Sequence, residues 1–100
     1  MNFTITDEAL EFYKKEMELI KGDSLTLYVR VGGVGSGGFS AGIHRGIPEK
    51  DYVTVEKGGL LFCITEDDQW YFDGMTIDYH HDFGEVTFIN ERIDDVINPK

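Results

Sequence analysis

Leu25-Thr26-Leu27-Tyr28-Val29-Arg30-Val31 runs into the glycine-rich stretch GGVGSGG, residues 32–38, and then into Phe39-Ser40-Ala41-Gly42-Ile43. Leu25, Leu27, Val29 and Val31 recur at every second position, which predicts a strand with one buried face and with Thr26, Tyr28 and Arg30 on the other. After the glycines, Phe39, Ala41 and Ile43 resume the same period. The stretch from Gly33 to Gly38 formally fits G-x-G-x-x-G, the dinucleotide fingerprint. That mechanism needs a helix N-terminus directly after the glycines to hold the pyrophosphate, and here a second strand follows. The glycines therefore join strand to strand, in a loop free to adopt positive φ or to approach a ligand closely.

The flanking segments extend the pattern in both directions. Phe3 and Ile5 alternate with polar residues as a short strand that feeds straight into a helix expected over residues 7–21. Thr6 is placed to cap it, Asp7 and Glu8 put negative charge in its first turn, and Leu10, Tyr13, Met17 and Ile20 share one face. Lys21 and Gly22 are expected to end it, and Glu11 with Lys15 to offer an exposed i,i+4 pair. Downstream, residues 47–50 read as a turn and residues 52–56 as a strand. Lys57-Gly58-Gly59 then forms a hairpin connection into a strand over residues 60–65. Residues 65–74, TEDDQWYFDG, read as a short helix capped by Thr65 and stopped by Gly74. Met75, Ile77 and Tyr79 alternate as a strand, residues 80–84 turn, and Val86 and Phe88 mark a last strand. The polar end, residues 90–100, reads as a short helix or a frayed terminus. The expectation is a single α+β domain over residues 1–100, mainly antiparallel and β-rich, with one N-terminal helix and one short late helix.

Composition limits what such a domain does. The 100 residues carry 19 acidic and 9 basic side chains, a net charge of -10, yet 41% are hydrophobic and 13% aromatic, which points to a folded body with an acidic surface. That surface repels a phosphate backbone and anionic lipid, so neither nucleic acid nor membrane is expected as a partner. The longest apolar run, residues 60–64, falls far short of the ~20 residues a spanning helix needs. The opening MNFTITDEAL has neither a basic nor an apolar leader region, and a lone cysteine, Cys63, cannot form an internal disulfide. A cytoplasmic location is the expectation.

Few residues carry recognisable chemistry. Cys63 lies within Leu60-Leu61-Phe62-Cys63-Ile64 with no basic neighbour to stabilise a thiolate, and reads as a buried, inert thiol. Asp78, His80 and His81, with Asp82 beside them, form the compact group of metal-ligand types. Adjacent histidines on a strand point to opposite sides, so at most one would join Asp78 or Asp82 at a single ion. Trp70, Tyr71 and Phe72 read as core and rim aromatics. Ser36 and Ser40 have no His and carboxylate partners evident in sequence, no catalytic residue is assigned, and the chain is not expected to be an enzyme.

ITDEAL opening the first helix, YVRVGGVGSGGFSAGI, WYFDGMTIDY and FGEVTFIN resemble, in this order and spacing, the HesB-like (A-type) iron-sulfur carriers. The likeness runs from Ile5 to about Asn90. Its most specific pieces are Gly38-Phe39-Ser40 and the stretch DGMTIDY, residues 73–79. The resemblance implies a compact β-rich fold whose sheets wrap a pseudo-symmetric core. It also implies a role in iron-sulfur assembly or iron handling with a protein partner in that system. Aligned on Gly38-Phe39-Ser40, the family's first ligand cysteine falls on Ser36, so Ser36, Gly38 and Phe39 mark its cofactor position. The family's closing Cys-Gly-Cys is replaced by Glu91-Arg92-Ile93-Asp94-Asp95. A serine and carboxylates are poor ligands for sulfide-bridged iron, so a standard cluster is not expected. Two readings of function follow: a non-cluster member of the assembly system acting as a binding or interaction protein, or a hard-metal or small-ligand module built on acids and histidines.

Overall fold

The computed structural model describes residues 1–31 and 39–92. Seven strands and two helices occur in the order β1 (Thr4–Ile5), α1 (Asp7–Glu16), β2 (Ser24–Val31), β3 (Phe39–Arg45), β4 (Tyr52–Lys57), β5 (Leu60–Thr65), α2 (Gln69–Phe72), β6 (Thr76–His80) and β7 (Glu85–Ile89), with a 3-10 turn at Glu66–Asp68 leading into α2. The strands form a four-stranded sheet, β3-β2-β5-β4, and a three-stranded sheet, β1-β6-β7. The α+β, β-rich class is as expected. Pairings β2–β3, β4–β5 and β6–β7 are antiparallel, while β1–β6 and β2–β5 are parallel, so both sheets are mixed.

Leu25 and Leu27 are fully buried with Phe62 and Ile64 of the neighbouring β5, but Thr26 between them, expected on an open face, is buried too with its hydroxyl donating to the Gly46 carbonyl, so both faces of β2 are covered at its start. It ends at Val31, which is 87% exposed because the strand has run past the edge of the core there. The two sheets meet through Phe3, whose ring packs edge-on to Phe62 at 5.6 Å between centroids, and through Phe72, Met75 and Ile77. Truncating a buried aromatic of this kind costs about 3–5 kcal/mol.

Helix α1 starts where expected. The Thr6 hydroxyl accepts the Ala9 N–H at 3.2 Å, and Asp7 and Glu8 follow in the first turn. It stops sooner than the periodicity suggests, at Glu16. Glu18 turns left-handed at φ +52° and the Leu19 N–H donates back to the Lys14 carbonyl at 2.9 Å, the six-to-one bond of a Schellman end. The Arg45 guanidinium also donates to the Met17 carbonyl. Leu19 thereby turns into the core and Ile20, expected there, is 72% exposed. Glu11 and Lys15 do not come within ion-pairing distance; the pairs among the described residues are Arg45–Asp23, Lys50–Asp67 and His80–Asp78. The turn before α2 begins after Thr65, but its side chain makes no capping bond.

A side chain at φ +52° is strained, and Glu18 adds a negative charge just beyond a helix C-terminus, which the macrodipole disfavours. Glu18→Gly should therefore raise stability by about 0.5–1 kcal/mol. Gly58→Ala should lower it by about 1–2 kcal/mol, because Gly58 has φ +58° and an added Cβ would lie 2.7 Å from Leu10 Cδ1. Urea midpoints of the two variants should move in opposite directions from the native one.

Candidate functional site

Two regions hold the residues singled out in sequence. The first is the mouth of the glycine loop. Ser36 and Gly38 lie outside the described residues, whereas Phe39 opens β3, directly opposite Val31 in the β2–β3 register. Trp70 packs edge-on to Phe39 at 5.4 Å and is 44% exposed, while Tyr71 and Phe72 are buried. The Tyr71 hydroxyl donates to the Phe39 carbonyl at 3.5 Å, and the Val29 N–H donates to Asp68 Oδ2 at 3.1 Å. Segment 66–72 thus braces both strands that enter and leave the loop.

The strand end that leads to residue 92 is fastened to the same segment. The buried Asn90 amide donates to the carbonyls of Tyr71 (3.1 Å) and Asp73 (2.7 Å), and its Oδ1 accepts the Arg92 N–H. Arg92 Nη2 donates to the Trp70 carbonyl at 2.7 Å and to that of Asp73 at 3.0 Å. Glu91 and Arg92 are described; residues 93–100 lie outside.

The second region is the end of β6. Asp78 Oδ1 accepts the Thr6 hydroxyl at 2.7 Å and the Tyr79 N–H at 2.8 Å, and Oδ2 lies 3.8 Å from His80 Nε2. The His80 ring also lies 3.1 Å from the Thr87 hydroxyl. His81 goes to the opposite side of the strand, edge-on to Tyr79 at 4.9 Å. Asp78 and His80 are paired, while His81 lines the same cleft with its ring against Tyr79. Among the described residues no three His, Cys, Asp or Glu side chains converge as a metal site.

Two features of this region escape a reading of the sequence. One is the Thr6–Asp78 bond, which joins residues 72 apart. The other is Phe12, whose ring stacks on Tyr79 at 4.3 Å; its signal is an aromatic residue off the apolar face of an amphipathic helix. Cys63 is 1% exposed in β5, its sulfur 3.8 Å from the Thr54 hydroxyl and its strand flanked by Thr26 of β2 and Thr54 of β4. No helix among the described residues is long and apolar enough to cross a membrane.

Comparison with known proteins agrees with the resemblance seen in sequence. The family model described as iron-sulphur cluster biosynthesis matches residues 1–95. A pyruvate dehydrogenase inhibitor of Bacillus subtilis (strain 168) is 40% identical over 92 residues, 88% of this chain and 97% of that protein. The solution structure of an Aquifex aeolicus protein is similar with a TM-score of 0.60 and 29% identity, over 88% of this chain and 90% of that one. The crystal structure of Escherichia coli SufA, involved in biosynthesis of iron-sulfur clusters, has the same fold with a TM-score of 0.68. It is 18% identical, with 94% of this chain and 84% of SufA covered.

The Thr6 hydroxyl first, then the Tyr79 N–H and the neighbouring His80, hold the Asp78 carboxyl below its ordinary value of 3.8. Unfolding removes these donors, so the stability they contribute is fully present above the unfolded value and is lost as pH falls through the lower folded one. A carboxyl-carbon NMR titration of the native protein should place the Asp78 midpoint below 3.8, and Thr6→Val should move it upward. An unmoved midpoint would show that the hydroxyl does not stabilise the carboxylate.

Proposed function

The chain belongs to the iron-sulphur cluster biosynthesis family, and from that premise we propose that it is a member that works without a cluster, by binding another protein. The observation that carries this reading is Cys63. It is the chain's one cysteine, and it is buried in β5 opposite Thr26 and Thr54. Holding an iron-sulfur cluster takes several thiolates. Here the family's first ligand position is Ser36, and the segment in place of its closing cysteines begins Glu91-Arg92. The donor set does not fit a cluster.

What the structure keeps of the family is its scaffold. The strands flanking the glycine loop are braced by segment 66–72, and Asn90 and Arg92 fasten the opposite strand end to the same segment. A protein that retains such a frame while losing its ligands is suited to recognition rather than cargo. The name of the Bacillus subtilis relative supplies the first partner to test, a pyruvate dehydrogenase. We place the protein in a reducing cytoplasm, where its thiol stays free.

Purified protein added to pyruvate dehydrogenase should give saturable, near-stoichiometric inhibition, measured as NADH formation. The inhibition should survive chelators and Cys63→Ser. Anaerobic incubation with iron and sulfide should leave no sulfide-stoichiometric absorption on the protein. Inhibition that requires loaded iron, or a stable cluster, would overturn the cluster-free reading; absence of both inhibition and co-elution would remove pyruvate dehydrogenase as the target.

A further inference from the structure

The surface between α1 and the end of β6 is concave and has an unusual lining. Two adjoining clefts, of about 540 and 420 Å3, share Glu8, Tyr79 and His81 and so form one groove. Its floor is aromatic: Phe12 and Tyr79 stack with their planes 17° apart, and His81 stands edge-on to Tyr79. Its rim is acidic, with exposed Asp7, Glu8, Glu11 and Glu16 along the helix. Among the described residues Lys15 is the one lysine or arginine lining either cleft. At the far end Phe83 is 79% exposed.

Helix stability does not account for this rim. Asp7 and Glu8 suit a helix N-terminus, but Glu11 lies in the middle of α1 and Glu16 in its last turn, where negative charge is disfavoured. None of the four takes part in the ion pairs found among the described residues. Unpaired carboxylates around aromatic ring faces complement a cation on a long side chain: the carboxylates pair with it and the rings attract it through their quadrupoles. The carboxylates are strung along the helix instead of converging, which matches charges spaced along a chain and not a single metal ion. With a net charge of -10, the molecule also steers a basic surface toward itself.

We propose that the groove between α1 and β6 docks a lysine- or arginine-bearing segment of a protein partner, with the cationic side chains over Phe12 and Tyr79 and between the α1 carboxylates. This rests on the reading of the chain as a protein-binding member of its family, and it names the surface that does the binding.

The test uses a synthetic peptide of alternating arginine and leucine, titrated into isotopically labelled protein at moderate salt and followed by amide chemical shifts. Two triple variants remove equal charge: Glu8→Gln with Glu11→Gln and Glu16→Gln in the groove, and Glu49→Gln with Asp51→Asn and Asp67→Asn away from it. Shifts should concentrate on residues 7–16 and 79–83, and the groove variant should bind about tenfold more weakly, with the control variant changed less than about twofold. Shifts spread over the whole surface, or equal weakening by both variants, would reduce the binding to net charge and overturn the proposal. Matching thermal melts of both variants confirm that the fold is intact. The pyruvate dehydrogenase assay separates the two readings. Inhibition by the native protein that the groove variant retains in full sinks the groove and spares the function. Peptide docking in the groove without any inhibition sinks that target and spares the groove.

Discussion

Thr4 and Ile5 lie parallel to Thr76 and Ile77, held by the Thr4 N–H on the Met75 carbonyl at 2.8 Å and the Thr6 N–H on that of Ile77 at 2.9 Å. The Gly74 N–H returns the contact to the Asn2 carbonyl. This short pairing decides where α1 begins and which way it points, because the helix starts one residue after the last bond. Thr6 then serves two elements at once: its hydroxyl oxygen accepts from the first turn of α1, and its hydroxyl proton goes to Asp78 of β6. The helix is thus clamped across β6, Phe12 falls onto Tyr79, and the groove takes its shape. Remove the register and the core loses Phe3 and Ile5, the helix loses its cap, and the acidic rim loses its aromatic floor.

Residues that hold the frame are side chains bonding to backbone: Asp68 to Val29, Asn90 to Tyr71 and Asp73, Arg92 to Trp70 and Asp73. None of these bonds needs a metal. The one thiol is spent in the packing of β5, between threonine-bearing strands.

The strands were legible in sequence because burial on one face imposes a period of two, seen in Leu25-Leu27-Val29 and again in Phe39-Ala41-Ile43. The burial of Cys63 was legible from its apolar neighbours, and Thr6 from the chemistry of a cap. The end of α1 was not. Ile20 sits at the right spacing, and no glycine or proline at residues 17–19 announces the left-handed turn at Glu18, which is imposed by the Schellman bond and by Arg45 arriving from β3. The two parallel pairings were hidden too, since no local signal reports which distant strand will lie alongside. At the candidate site, sequence grouped Asp78, His80 and His81 by proximity and allowed for their opposite directions. It held no hint of Thr6, whose relation to Asp78 exists only after β1 docks.

The distance between Thr6 and Asp78 along the chain also sets an order of events as the protein is made. Helix α1, ten residues long, emerges well before β6, and a helix of that length is marginal in water without a surface to pack on. Its strand partner is synthesised 72 residues later, a delay of roughly 4–14 s at ordinary rates of translation. During that interval the antiparallel pairs β2–β3 and β4–β5 can zip locally, whereas β1 and Phe12 still lack their partners in β6. Capture of Thr4–Ile5 by β6 has to wait until β6 is made, and until then that segment is open to a chaperone.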